Sequence, residues 1–242
     1  MTKPTLLHSP PSWHLASYPR SGNHLVRTLI EFATHRPTLG CPGSDHDSPI
    51  YQRGPNCDAK LIRISEPDPV AFKSHFANQI QRHDQHHLID HFLLIVRDPV
   101  QAISSHLTRD LAQRLFLSER QIRISVEREL NAYLALLYAY RAYPASRRLV
   151  VRFEDLTAPA DRSLAAARAL LQAMALPDDD LTASAWLQIR KIAASSQQSL
   201  GHRGEKVRSR LRQAVGARIG AADVDHFLTN GHWLNDLAAT AT

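Results

Sequence analysis

Phe92-Leu93-Leu94-Ile95-Val96-Arg97-Asp98-Pro99 is the stretch on which the fold turns. Five consecutive apolar residues with no polar alternate describe a strand covered on both faces, as parallel strands between helical layers are. Asp98 followed by Pro99 is a helix start, an N-cap acid and a first-turn proline, so a helix carrying Ser104 and Ser105 follows the strand directly. Working outward, Trp13 to Ser17, Val70 to Lys73 and Leu149 to Phe153 read as further short strands. Asn23 to about Thr34 places Leu25, Leu29 and Phe32 at helical spacing. Leu111 to Tyr143 is helical with Leu130, Leu134, Leu137 and Tyr138 on one stripe. Thr157 and Pro159 open a helix carrying Leu164, Ala167, Leu171 and Met174, and another covers Leu181 to Ala194. Residues 199–220 read as basic and irregular, followed by a short helical tail. Strands alternating with helices predict an α/β fold with a mainly parallel sheet, in one domain spanning residues 1–242.

The chain has 242 residues, 43% of them hydrophobic, enough for a large core. Its net charge of +6 and pI near 9.6 invite a nucleic-acid reading. The charge is spread, however, as +1, +3 and +2 over residues 1–100, 101–200 and 201–242. Arginine outnumbers lysine 24 to 5, which reads as background composition. Two cysteines, Cys41 and Cys57, form neither a disulfide framework nor a metal knuckle. With no apolar run long enough for a signal peptide or a membrane span, a soluble cytoplasmic protein is expected.

Three segments carry chemistry. Tyr18-Pro19-Arg20-Ser21-Gly22-Asn23-His24 lies between a strand and a helix, where backbone N–H groups and the helix dipole favour an anion. Gly22 permits close approach, and Arg20 adds a fixed charge. Phe72-Lys73-Ser74-His75 ends a strand with a lysine two residues before a histidine, a cation beside a base. Arg97 stands at the carboxyl end of a central strand, where open α/β sheets bind ligands. Taken singly, each also fits a blander reading: an ordinary turn, a chance pairing among 14 histidines, an arginine paired with Asp98.

Together and in this order, the segments resemble the sulfotransferases that use 3′-phosphoadenosine 5′-phosphosulfate (PAPS). The family's 5′-phosphosulfate loop, Tyr-Pro-Lys-Ser-Gly-Thr-Thr-Trp, is similar to Tyr18 to Leu25, with Arg20 for the lysine, Asn23-His24 for the threonines and Leu25 for the aromatic. Its Lys-Thr-His segment matches Lys73-Ser74-His75. Its 3′-phosphate motif matches Arg97-Asp98-Pro99 and Ser105, although Val100-Gln101 replaces a basic-acidic pair. Phe153-Glu154-Asp155-Leu156 stands where the family has Tyr-Glu-Asp-Leu, and His202-Arg203-Gly204 echoes the closing Arg-Lys-Gly phosphate loop without the usual Gly-Asp-Trp after it.

The resemblance implies a three-layer, P-loop-like fold of the sulfotransferase and nucleotide-kinase kind, reaching from about residue 13 to 205. It implies that the backbone of Ser21, Gly22, Asn23 and His24 holds the 5′-phosphate, with Arg20 near the bridging oxygen and Lys73 on the sulfuryl group. It makes His75 the general base, and Arg97, Ser105, Arg203 and Gly204 the 3′-phosphate site. Leu25 and Phe153 border the adenine. No metal is required, and adenosine 3′,5′-bisphosphate (PAP) is the product. The acceptor is a hydroxyl or amine of a small molecule, glycan or peptide, and its pocket is expected from residues 35–58 and the helices between Leu107 and Tyr143, with His35, Tyr51, Phe116, Tyr133 and Tyr140. A homodimer is compatible with this reading; nucleic-acid and membrane partners are not expected.

Other readings remain. A phosphotransferase of the P-loop kind shares the strand–loop–helix logic, but no Gly-Lys-Ser/Thr occurs. A nucleic-acid module would use Arg203, Lys206, Arg208, Arg210, Arg212 and Arg218, though no aromatic interleaves with them. His83, His86, His87 and His91 hint at a metal site, His87 and His91 lying four apart on an expected helix, but no carboxylate base is placed as in a zinc hydrolase, and scattered surface histidines are the simpler reading. A non-catalytic binding protein on the sulfotransferase fold is the fourth.

Overall fold

The computed structural model describes residues 13–39, 69–75, 77, 90–111, 118–194 and 202–230. In chain order these form β1 (Trp13–Ser17), α1 (Asn23–Thr34), β2 (Thr38–Leu39), β3 (Ala71–Ser74), β4 (His91–Val96), α2 (Pro99–Leu111) and α3 (Glu119–Ala142). A short turn at Ala145–Arg147 leads to β5 (Arg148–Arg152), α4 (Phe153–Thr157), α5 (Ala160–Ala173), α6 (Ala183–Ala194), α7 (His202–Gly216) and α8 (Ala221–Asn230). The five strands make one sheet in the order β2-β3-β1-β4-β5, and every pairing is parallel.

The apolar run of β4 is continuous because its two faces serve different cores. Phe92, Leu94 and Val96 join Ala16 and residues of α2, α3, α7 and α8. Leu93 and Ile95 join Leu15 and residues of α1, α5 and α6 on the other side. Helices therefore cover the sheet on both faces, as an all-parallel sheet requires. None of the described helices is long and apolar enough to cross a membrane.

Local differences from the sequence reading have physical causes. The buried stripe of α3 runs through Ile122, Val126, Leu130, Tyr133, Leu137 and Tyr140, whereas Tyr138 is half exposed and stacks edge-on against Phe227 of α8. Residues 202–216 are helical, not irregular: Val207, Leu211 and Val215 recur at four-residue intervals and are buried against the α2–α3 core. The charges between them hid that period. Asp98 caps α2 as expected, accepting from Gln101 N–H at 2.9 Å.

Register decides where the active segments end. Ala16 pairs with Ser74 on one side and Leu94 on the other, and Val96 pairs with Arg152. The residues just beyond, Tyr18, His75, Arg97 and Phe153, therefore emerge on one edge of the sheet. β1 lies between β3 and β4, so successive connections leave it in opposite directions and open a crevice at the carboxyl ends of these strands.

Candidate active site

The turn after β1 is built around two left-handed residues. Arg20 has φ 68° and Gly22 has φ 91°, and the Ser21 N–H closes the turn on Tyr18 O at 3.2 Å. Gly22 is the N-cap of α1 and offers no side-chain cap; the first intrahelical donor is Val26 N–H, to Gly22 O at 3.2 Å. The amides of the first helical turn thus lie ahead of the intrahelical ladder, aimed out of the helix end. A β-carbon on Gly22 would stand 2.2 Å from Cδ2 of Phe153, so the ring itself forbids any side chain there.

Phe153 in turn carries the Arg97 guanidinium, 4.8 Å above its ring centre. Arg97 also donates from Nη1 to Arg20 O at 2.7 Å, and its own carbonyl accepts from Tyr133 Oη at 2.8 Å. Arg97 therefore clamps the anion turn to the end of β4. Desolvation lowers its guanidinium from the ordinary value, and Glu154 opposes that.

His75, one residue past β3, lies level with Ser17. Its Nδ1 donates to Ser17 O at 2.8 Å. A carbonyl oxygen only accepts, so the proton sits on Nδ1 and the lone pair on Nε2. Ser17 Oγ lies 3.4 Å from the same nitrogen and accepts from Asn23 Nδ2 at 3.1 Å. Asn23, at the start of α1, is thereby tied to His75 through Ser17. Burial, then the charge of Lys73, push the imidazole down to about 3. It is neutral at physiological pH.

Positive charge converges here from four elements. Burial, then Arg109 of α2 and Arg208 of α7, lower the Arg20 guanidinium, and Arg208 also weighs on Arg97. Helix α7 runs antiparallel to α2: Gln101 Oε1 accepts from Arg212 at 3.2 Å, and Val100 packs on Gly216. Arg208, one turn before Arg212 and half-buried, shares the side of α7 that faces α2. Ser21 Oγ, Asn23 Oδ1 and Arg208 Nε are buried with no hydrogen-bond partner among the described residues. A hydroxyl and a guanidinium N–H left unmatched beside several cations suit a multiply charged oxyanion.

The expected residues thus divide. Arg20, Ser21, Gly22, Asn23, His24, Lys73, His75, Arg97 and Phe153 lie at the carboxyl edge of the sheet, with Lys73 buried and His24 exposed, while Ser105 is half-buried in the middle of α2. Leu25, expected to border the adenine, is buried in the α1-side core, the cluster against which Phe153 packs. Gly204 is buried in the first turn of α7 rather than in a phosphate loop, and the Arg203 side chain lies outside the described residues. Arg208 was missed because it sits in a run of basic residues. Arg208 itself donates from Nη1 to Glu205 at 3.3 Å, leaving Nε unmatched, while Arg210 pairs with Glu119 and Arg218 with Glu127.

The expected acceptor residues fare less well. Tyr133 and Tyr140 are buried core residues, Tyr140 against Phe92. His35 is the C-cap of α1, about 18 Å of helix from Asn23. Tyr51 and Phe116 lie outside the described residues, as do Cys41, Cys57, His83, His86 and His87. His91 stacks on Trp13 at 4.7 Å.

No family model matches this chain, and no curated protein matches it. Among solved structures it is similar to the sulfotransferase domain of the Synechococcus PCC 7002 olefin synthase, with 16% identity over 86% of this chain and 97% of that one, TM-score 0.49. A mouse sulfotransferase complexed with PAP shares 17% identity over 78% of this chain and 65% of its own, TM-score 0.48. The sulfotransferase domain from the curacin biosynthetic pathway shares 14% over 85% and 98%, TM-score 0.46. At such identities and TM-scores the likeness assigns no role to any residue.

Proposed function

We propose that this chain is a PAPS-dependent sulfotransferase acting on a hydroxyl or amine acceptor. The observation that carries the reading is His75: a neutral imidazole whose proton is held on Nδ1 by Ser17 O, beside Lys73 and a turn lined with anion donors. When bound, the donor supplies a sulfuryl group whose bond to the 5′-phosphate oxygen breaks as the acceptor's bond to sulfur forms, with PAP keeping the electron pair.

The chain's own residues do the rest. First-turn amides of α1 and Ser21 Oγ receive the 5′-phosphate, with Arg20 beside it. Arg97, Ser105 and Arg208 receive the 3′-phosphate, Arg208 in place of the expected Arg203. Lys73 offsets charge on the sulfuryl oxygens. His75 Nε2 takes the acceptor proton, and anions bound beside it raise its basicity by opposing Lys73. Positioning and fixed charge, not covalent chemistry, lower the barrier.

The test is calorimetric titration with PAP, then transfer from labelled PAPS to a metabolite extract. Binding of PAP with transfer abolished in His75→Ala supports the reading. Binding with no transfer by the unaltered chain makes it a non-catalytic nucleotide-binding protein. Failure to bind PAP overturns it.

A further inference from the structure

The cations of the cleft exceed those that the donor engages. Arg20 and Lys73 serve the phosphosulfate end, and Arg97 and Arg208 the 3′-phosphate. Arg109 remains. It lies in the last turn of α2, is exposed, and has no ion pair or hydrogen bond among the described residues. It follows His106 by three positions and Ser105 by four, so the three share one face of the helix.

His106 fixes where that face points. Its ring meets Tyr18, the first residue of the anion turn, edge-on with centroids 5.6 Å apart. Its Nε2 lies 3.8 Å from Glu129 Oε2, which also accepts from Tyr18 Oη at 2.8 Å. The Glu129 carboxylate is nearly buried and also pairs with Arg128 at 2.8 Å. With His75 Nδ1 turned to Ser17, its proton-accepting edge faces away from β1. The charges that bear on that ring are Lys73, His106 and His24, all basic.

Resting on the sulfuryl-transfer reading above, we propose that the acceptor carries an oxyanion, a carboxylate or a phosphate, and that Arg109 binds it while His106 lines the wall between that anion and His75. Arginine suits this task because its planar fork meets a carboxylate or phosphate in two parallel hydrogen bonds.

The test uses the full chain saturated with PAP, so that binding rather than turnover is read. Dissociation constants are measured for 4-hydroxyphenylacetate, 4-hydroxyphenyl phosphate and the neutral 4-hydroxyphenethyl alcohol. The anionic phenols are expected to bind about tenfold more tightly than the alcohol, and the two anions separate the carboxylate source from the phosphate source. Arg109→Gln should erase that preference, Arg109→Lys should keep part of it, and PAP affinity should stay within about twofold in both. Equal or undetectable binding of anionic and neutral phenols overturns the inference, as does a preference that survives Arg109→Gln. A matching loss of PAP affinity in Arg109→Gln reassigns the arginine to the donor and equally overturns it. The preceding PAP titration reports on the sulfuryl-transfer reading alone, so the two failures are distinct.

Discussion

His75 Nδ1 and Ser17 O are 2.8 Å apart, and this one hydrogen bond joins the end of β3 to the end of β1 and sets the tautomer of the proposed base. The fold holds the ring neutral, at about 3 against an ordinary 6.5. The unfolded chain takes up a proton there as pH falls below 6.5, while the folded chain does not until near 3. The unfolded state therefore binds more protons in that window, and stability must fall as pH falls through it. Melting temperature against pH should drop below about pH 6.5, and His75→Gln should flatten that slope. An unchanged slope in His75→Gln would place the acid sensitivity elsewhere.

Gly22 and Phe153 are mutually exclusive with any added atom between them. Gly22→Ala meets both a left-handed backbone and a ring carbon at 2.2 Å. The expected cost is about 2–3 kcal/mol, from strain and overpacking together. Phe153→Ala in the same chain should recover the overpacking part but not the strain. Chemical denaturation of the single and double variants separates the two; full recovery in the double variant would show that φ contributes nothing.

Arg20 is the left-handed residue of the anion turn that is not a glycine. Its φ of 68° costs roughly 1 kcal/mol, held in place by Arg97 donating to its carbonyl. Arg20→Gly should relieve that strain and leave the fold as stable or slightly more so, while weakening PAP binding or transfer at least tenfold through the lost cation. A stability assay and an activity assay that move in the same direction would contradict this separation of roles.

Arg208 and Arg210 stand two residues apart on α7 and face different partners. Arg208→Gln should weaken PAP binding by about tenfold or more, because its Nε is buried with no hydrogen-bond partner among the described residues and is the N–H assigned above to the 3′-phosphate. Arg210→Gln should cost no more than a fraction of a kcal/mol of stability, since its pair with Glu119 is exposed, and should leave PAP binding intact. Equal effects of the two substitutions on PAP affinity would remove Arg208 from the site.

The legible parts of this protein are those governed by neighbours in the chain. Strand β1 and helix α1 fall where local pattern puts them, β4 and β5 within one residue, and the Asp98 cap follows from an acid before a proline. Strand β2 was not legible: at two residues, Thr38–Leu39, it has no period to read. It exists because Arg27 and Glu31 of α1 hold Thr38 by hydrogen bonds to its backbone and hydroxyl.

Sequence alone determined the order of the turn, the lysine–histidine segment and the strand-end arginine, since each is a local motif. Only the tertiary structure decided which side chains meet. Parallel pairing with a fixed register set His75 level with Ser17, and antiparallel packing of α7 on α2 selected Arg208 from a run of similar arginines. It also buried Leu25, Tyr133 and Tyr140, three of the expected site residues, against neighbouring elements. The reason is physical: the face a residue presents depends on what packs against its element, and those partners lie up to about a hundred positions away in the chain.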